Sequence, residues 1–140
     1  MGTGGSDSSQ DDQGPRSGVR RKVLVIDDSA LILKLTSVML NAGGFDVSTC
    51  DSAAGALLRV ISEQPDLVLV DLDLGEVSGD RVIASIKNSP RTAHVRAYLY
   101  TASDGAEVAA LVKRSRADGF VSKGSDGVAL VQAVRRALAR

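Results

Sequence analysis

Apolar residues in this chain fall into two alternating rhythms. Short unbroken runs, Val23-Leu-Val-Ile26, Leu67-Val-Leu-Val70 and Ala97-Tyr-Leu-Tyr100, have the length and the β-branched or aromatic content of strands buried on both faces. Between them the apolar positions recur three and four residues apart, the period of an amphipathic helix. Strands are read at 22–26, 45–49, 67–70, 96–100 and 119–122. The first helix opens at Ser29, a suitable N-cap, and carries Leu31, Leu35, Val38 and Ala42 on one face before Gly43-Gly44 ends it. A second runs over 53–62 with Leu57, Leu58, Val60 and Ile61, and Pro65 forbids its continuation. Three more are expected over 80–87, 104–114 and 126–138.

Strand and helix in strict alternation mark an α/β domain with a parallel sheet, and right-handed crossovers leave few topologies. The expected fold is a five-stranded, doubly wound (βα)5 domain of flavodoxin-like strand order 2-1-3-4-5. Residues 1–18 hold five Gly, four Ser and three Asp but no Val, Leu, Ile or aromatic, so burial cannot offset the entropy of ordering them. The division is therefore a disordered tail over 1–20 and one domain over 21–140.

Composition narrows the function classes. Lys plus Arg and Asp plus Glu both total 17, so no bulk attraction to nucleic acid is implied. The single cysteine, Cys50, cannot form an internal disulfide and suits a reducing, cytoplasmic setting. No apolar run approaches the roughly 20 residues of a membrane span, so neither a signal peptide nor an anchor is expected. His94, the only histidine, falls in a loop, which argues against a histidine phosphodonor.

The chemistry lies just past the strand ends. Asp27-Asp28 follow strand 1, Asp71 and Asp73 follow strand 3, Thr101 ends strand 4 and Lys123 follows strand 5. In a doubly wound sheet ligands bind at that edge, beside the switch point between strands 1 and 3. Any one of these acids alone reads as a helix cap or loop acid, but three converging are different. Carboxylates about 4 Å apart repel by roughly 1 to 4 kcal/mol at effective dielectrics of 80 to 20, which calls for a cation. Oxygen ligands suit Mg²⁺, and Lys123 adds a second positive charge. A carboxylate facing metal, ammonium and hydroxyl is equipped to accept a phosphoryl group, because those groups neutralise its oxygens in transfer.

From Lys22 to Arg140 the chain resembles the receiver domain of bacterial two-component response regulators, with Asp27-Asp28, Asp71, Thr101 and Lys123 in the family's order and intervals. The resemblance implies Mg²⁺ held directly by Asp28, through water by Asp27, and by Asp71 and the backbone carbonyl of Asp73. It implies Asp71 as phosphoacceptor, Thr101 as the hydroxyl that bonds the phosphoryl group, Lys123 as its ammonium partner, and Phe120 as the aromatic that switches with Thr101. Gly79 also matches. The chain departs at Gly75 and Gly124, where the family usually has proline, so those loops are expected to be looser or differently turned. It departs again at Asp73, which sets an extra carboxylate beside the phosphoryl site.

The resemblance further implies a histidine kinase or histidine phosphotransfer protein as donor. Because the chain ends with its fifth helix, a stand-alone receiver acting on a protein target is expected, with no direct nucleic acid or membrane contact. Helices 4 and 5 carry Lys113, Arg114, Arg116, Arg135, Arg136 and Arg140, and with strand 5 make a basic docking face for an acidic partner. Solvated charge is the plain alternative for that face. Alternative functions are a pseudo-receiver that binds without phosphorylation and a haloacid-dehalogenase-like phosphatase, suggested by Val70-Asp71-Leu72-Asp73. The phosphatase order would put Asp-x-Asp on the first strand and the acidic pair last. Asp73 as acceptor in place of Asp71 is a register alternative, disfavoured because the apolar run ends at Asp71.

Overall fold

A computed structural model describes residues 19–124 and 126–140. The tail expected over 1–20 lies outside the described residues except for Val19 and Arg20. Arg20 is tied down: its guanidinium donates to the carbonyls of Asn41, Gly44 and Phe45 at 2.9–3.0 Å. The elements run β1 (Lys22–Ile26), α1 (Ala30–Ala42), β2 (Asp46–Cys50), α2 (Ala56–Glu63), β3 (Leu67–Asp71), α3 (Gly79–Asn88), β4 (Arg96–Thr101), α4 (Ala106–Ser115), β5 (Gly119–Ser122) and α5 (Gly127–Ala139). All strand pairs are parallel, in the order β2-β1-β3-β4-β5. This is the expected doubly wound sheet.

Alternation along the strands divides the core in two. Val23, Val25, Leu67, Leu69, Tyr98, Tyr100 and Val121 pack under α1 and α5 with Leu33, Leu40, Leu130 and Val134. Leu24, Ile26, Val68, Val70, Ala97 and Leu99 face the other layer, packed with Ala56 and Val60 of α2, Val82, Ile83 and Ile86 of α3, and partly buried Leu111 and Val112 of α4. A strand covered on both faces has no polar side, which is why these runs are unbroken.

The helix starting at 53 instead begins at Ala56, because Ala56 N–H first closes a tight turn onto the Ala53 carbonyl at 3.1 Å. On α1 the Leu31 face points to solvent. Ser29 does cap the helix, accepting from Ile32 N–H at 3.2 Å. Leu31, Leu35 and Val38 do share a face, but that face is exposed, at 65%, 48% and 59%. Leu33, Thr36 and Leu40 are the buried stripe. Apolar residues lie all round this helix, so periodicity alone does not choose a side. The position of the cap after β1 does.

Leu40→Ala should therefore cost about 3 kcal/mol, the usual cost of a core truncation, whereas Leu35→Ala should stay within about 0.5 kcal/mol. Urea unfolding of the two variants measures this, and equal losses would mean that α1 presents its other side to the sheet.

Candidate functional site

Register brings the acids together. Ile26 pairs with Val70 across β1 and β3, so the residues that follow, Asp27 and Asp71, stand level at the carboxyl edge. Thr101 pairs with Ser122 across β4 and β5, which sets Lys123 one step beyond. Alternation puts Asp27, Asp71 and Lys123 on the same face as Val25, Leu69 and Val121, the face covered by α1 and α5.

Lys123 Nζ lies 2.7 Å from Asp27 Oδ2 and donates to Asp71 Oδ1 at 2.6 Å. Asp27 is 1% exposed and Asp71 7%. Asp27 Oδ1 accepts from Ser29 N–H at 2.9 Å, but Oδ2 has no well-directed hydrogen bond and relies on the neighbouring ammonium. Asp28, exposed at the lip, brings a third carboxylate, and one oxygen from each acid lies within 4.8 Å of the others. An oxygen-only donor set with a buried, poorly satisfied carboxylate oxygen fits a hard divalent cation such as Mg²⁺.

Burial raises the Asp71 carboxyl above its ordinary value, and repulsion from Asp27 adds to it, while the hydrogen bond and charge of Lys123 and an amide hydrogen bond from Asp73 oppose the rise. Burial alone would lower the Lys123 ammonium. Its close contacts with Asp27 and Asp71 outweigh that, and its affinity for the proton ends raised. The two rises differ in origin: burial lifts the Asp71 carboxyl, and the paired carboxylates lift the Lys123 ammonium.

Other expected residues are less assembled. Thr101 is buried, but its hydroxyl oxygen accepts from Ser103 N–H at 3.1 Å, and no hydrogen bond to Asp71 is present. Phe120 is 41% exposed on the edge strand β5. The Asp73 carboxylate is exposed and accepts from Gly75 N–H at 3.2 Å, closing its own turn. Gly75 and Gly124 both adopt positive φ, +83° and +80°. Proline, fixed near −65°, cannot take either turn. At Gly79 space is the constraint: a Cβ would lie 2.0 Å from the carbonyl oxygen of Asp71.

The basic face is also broken up. Arg114 reaches Asp80 of α3 at 3.7 Å, Arg116 bonds Asn88 at the end of α3, and Arg135 donates to the Gly43 carbonyl beyond α1 at 3.1 Å. Lys113, Arg136 and Arg140 remain exposed, the two arginines beside Phe120 of β5. The sequence reading gave no role to Thr36 and Tyr100, whose hydroxyls share a buried hydrogen bond of 2.8 Å behind Lys123. A threonine at the centre of the Leu33–Leu40 stripe was the available signal. Burial pushes the Tyr100 phenol up, so it stays neutral.

A family description of the response regulator receiver domain matches residues 23–135. The chain belongs to the response regulator receiver family. Receivers are signalling modules of two-component systems, and this one is 32% identical over 114 residues to the response regulator PleD of Caulobacter vibrioides. That match takes in 81% of this chain and 25% of PleD. A sensor kinase/phosphatase of Vibrio cholerae, CqsS, is 28% identical over 85% of this chain and 18% of its own length. The receiver thus spans about a quarter or less of these relatives. In fold it is similar to the chemotaxis response regulator CheY4 of Vibrio cholerae, with TM-score 0.79 and 21% identity over 85% of this chain and 99% of that one. A CheY-like receiver from Methanospirillum hungatei superposes with TM-score 0.76 at 20% identity, covering 86% and 95% of the two chains. Among the described residues no helix is long and apolar enough to cross a membrane.

The raised Asp71 value has a pH consequence in metal-free protein. In strong acid the carboxyl is protonated folded or unfolded. As pH rises through the carboxylate range the unfolded chain ionises first, so Asp71 subtracts stability above that range. Lys123 has the same sign in a higher window: its stabilisation is present at neutral pH and is lost only as alkali passes its raised value. Metal-free Asp71→Asn should therefore be more stable than the parent at neutral pH by about 1 kcal/mol, the difference closing toward about pH 3. Denaturant melts across that range measure it, and equal stability at neutral pH would mean that Lys123 fully offsets the burial of the acid.

Proposed function

We propose that this receiver takes a phosphoryl group onto Asp71 from a histidine kinase or histidine phosphotransfer protein, in a Mg²⁺-dependent reaction, and so changes its affinity for a protein target. The observation that carries the reading is the Lys123 ammonium in contact with two buried carboxylates, with a third carboxylate at the lip. Asp27, Asp28, Asp71 and the Asp73 carbonyl would hold the cation, which when bound supplies charge neutralisation for the phosphoryl oxygens.

An Asp71 carboxylate oxygen forms the new P–O bond as the bond from phosphorus to the donor atom breaks, the electron pair leaving with that atom. Lys123 meets charge on the phosphoryl oxygens. Thr101 turns its hydroxyl from the loop of Ser103 to bond the transferred group, and Phe120 follows from its exposed position. Activation then acts on the face of α4, β5 and α5, where Phe120 and the exposed Lys113, Arg136 and Arg140 offer an apolar and basic surface to an acidic protein. The donor docks on the exposed Leu31, Leu35 and Val38 of α1, which begins two residues beyond Asp28.

With Mg²⁺ and acetyl phosphate the protein should form one acid-stable, hydroxylamine-labile adduct. Asp71→Asn should form none, and Asp28→Ala should lose metal affinity and labelling together. Intact-mass labelling of Asp71→Asn at parental yield would refute the assignment, and a folded parent that never labels would favour the pseudo-receiver.

Beryllofluoride with Mg²⁺, a phosphoryl mimic, should shift the amide resonances of Thr101, Phe120 and the α4 and α5 faces. A new dianion can bias only an element whose two states contact it differently. Shifts confined to the loops after β1 and β3 would count against the switch.

A further inference from the structure

A tyrosine ring lies behind the Lys123 ammonium. Tyr100 is 3% exposed, and in the sheet it is the register partner of Asp71 on one side and Val121 on the other. Its side chain projects toward α1 and α5, the face that also receives Asp27, Asp71 and Lys123. The ring centroid is 5.6 Å from Lys123 Nζ, within the range over which the negative face of an aromatic ring attracts a cation. The phenol hydroxyl and Thr36 Oγ1 share their 2.8 Å hydrogen bond across the core, with Thr36 1% exposed.

These contacts answer a mechanical need. A lysine ammonium is a compact charge on a flexible four-carbon stem, and Coulomb attraction to two carboxylates does not fix its direction. Asp27 and Asp71 draw the charge into the cluster, but a rearrangement that loads Asp71 also removes one of those anchors. An aromatic face persists through that change. A ring free to pivot would be a poor seat, and the bond from Tyr100 to the rigid backbone of α1 through Thr36 stops the pivot. Threonine is an unexpected choice between Leu33 and Leu40 in a buried stripe, since a buried hydroxyl without a partner is costly. Its hydroxyl partner here is Tyr100.

We propose that Tyr100, fixed by Thr36, is a positioning residue for phosphoryl transfer, its ring seating the Lys123 ammonium beside Asp71 Oδ1 rather than letting it swing to solvent. This rests on the reading of Asp71 as acceptor and Lys123 as its partner, and adds to it a residue outside that set. Tyr100 touches no reacting atom. Its influence passes through Lys123 alone, so it should affect the rate of transfer to Asp71 and leave the binding of donor and cation unchanged.

The test compares Tyr100→Leu, Tyr100→Phe and Thr36→Val by three measurements on folded protein. One is the acetyl phosphate concentration dependence of labelling at saturating Mg²⁺. Another is Mg²⁺ affinity. The third is the NMR shift of the Lys123 Cε–Hε group in metal-free protein, which a nearby ring face moves upfield. Tyr100→Leu should lose the upfield shift and drop the maximal labelling rate about tenfold, with half-saturation and Mg²⁺ affinity unchanged. Tyr100→Phe, which keeps the ring, should recover all but about twofold of that loss, and Thr36→Val should match it because both remove the same bond.

A folded Tyr100→Leu with parental rate and parental Lys123 shift overturns the proposal. So does a parent protein whose Lys123 resonance shows no ring shift, a result available even if Tyr100→Leu does not fold. If the parent shows the shift but takes no phosphoryl group, the Asp71 reading fails, and with it the effect on transfer. Labelling with no response to ring removal leaves that reading standing and removes Tyr100 from it.

Discussion

The Lys123 ammonium holds this structure's chemistry together. Two buried carboxylates within 2.7 Å of it come from different strands, and without a cation between them their repulsion would open the edge of the sheet. The ammonium is a permanent counterion supplied by a third strand. It lets Asp71 remain both buried and available, with its proton affinity raised by burial and restrained by the lysine. One positive charge against three clustered acids leaves an excess of negative charge. That excess would suit a divalent cation at the lip.

The sheet makes the arrangement possible by bringing distant residues level. Asp27 and Asp71 are far apart in sequence but follow paired residues, and Lys123 enters by the same geometry one strand beyond β4. Close approach adds a second constraint. Gly79 packs so tightly against the Asp71 carbonyl that no side chain fits, and its amide donates to the Leu72 carbonyl at 2.6 Å. The loop carrying Asp73 is thereby clamped beside Asp71. The positive φ angles of Gly75 and Gly124 then set the paths of the loops after β3 and Lys123.

Two faces flank the site with different character. On α1 the exposed Leu31, Leu35 and Val38 form an apolar surface beside the acids. Around β5 the exposed Phe120 lies among fewer free basic groups than a count of arginines suggests, because Arg114, Arg116 and Arg135 are engaged with α3 and with the end of α1. Charge counted along a helix overstates a docking surface when long side chains can reach neighbouring elements.

Much of this was legible in the residues themselves. Continuous apolar runs such as Leu67 to Val70 require burial on both faces, and with intervening helices that implies a parallel doubly wound sheet whose carboxyl edge receives Asp27, Asp28, Asp71 and Lys123. Right-handed crossovers left few strand orders, and the doubly wound order 2-1-3-4-5 was the one expected. The buried side of α1 did not follow, because its apolar residues surround the helix and only docking against β1, β2 and α5 selects Leu33, Thr36 and Leu40. Side-chain direction was equally out of reach: the Thr101 hydroxyl bonded to Ser103, the Asp73 carboxylate closing its own turn, and Arg135 reaching Gly43 depend on neighbours distant in the chain or on loop dihedrals. The Tyr100–Thr36 pair spans 64 residues and two elements. Residue type and spacing determine which groups arrive at the edge of the sheet, while packing in three dimensions decides which way each one points.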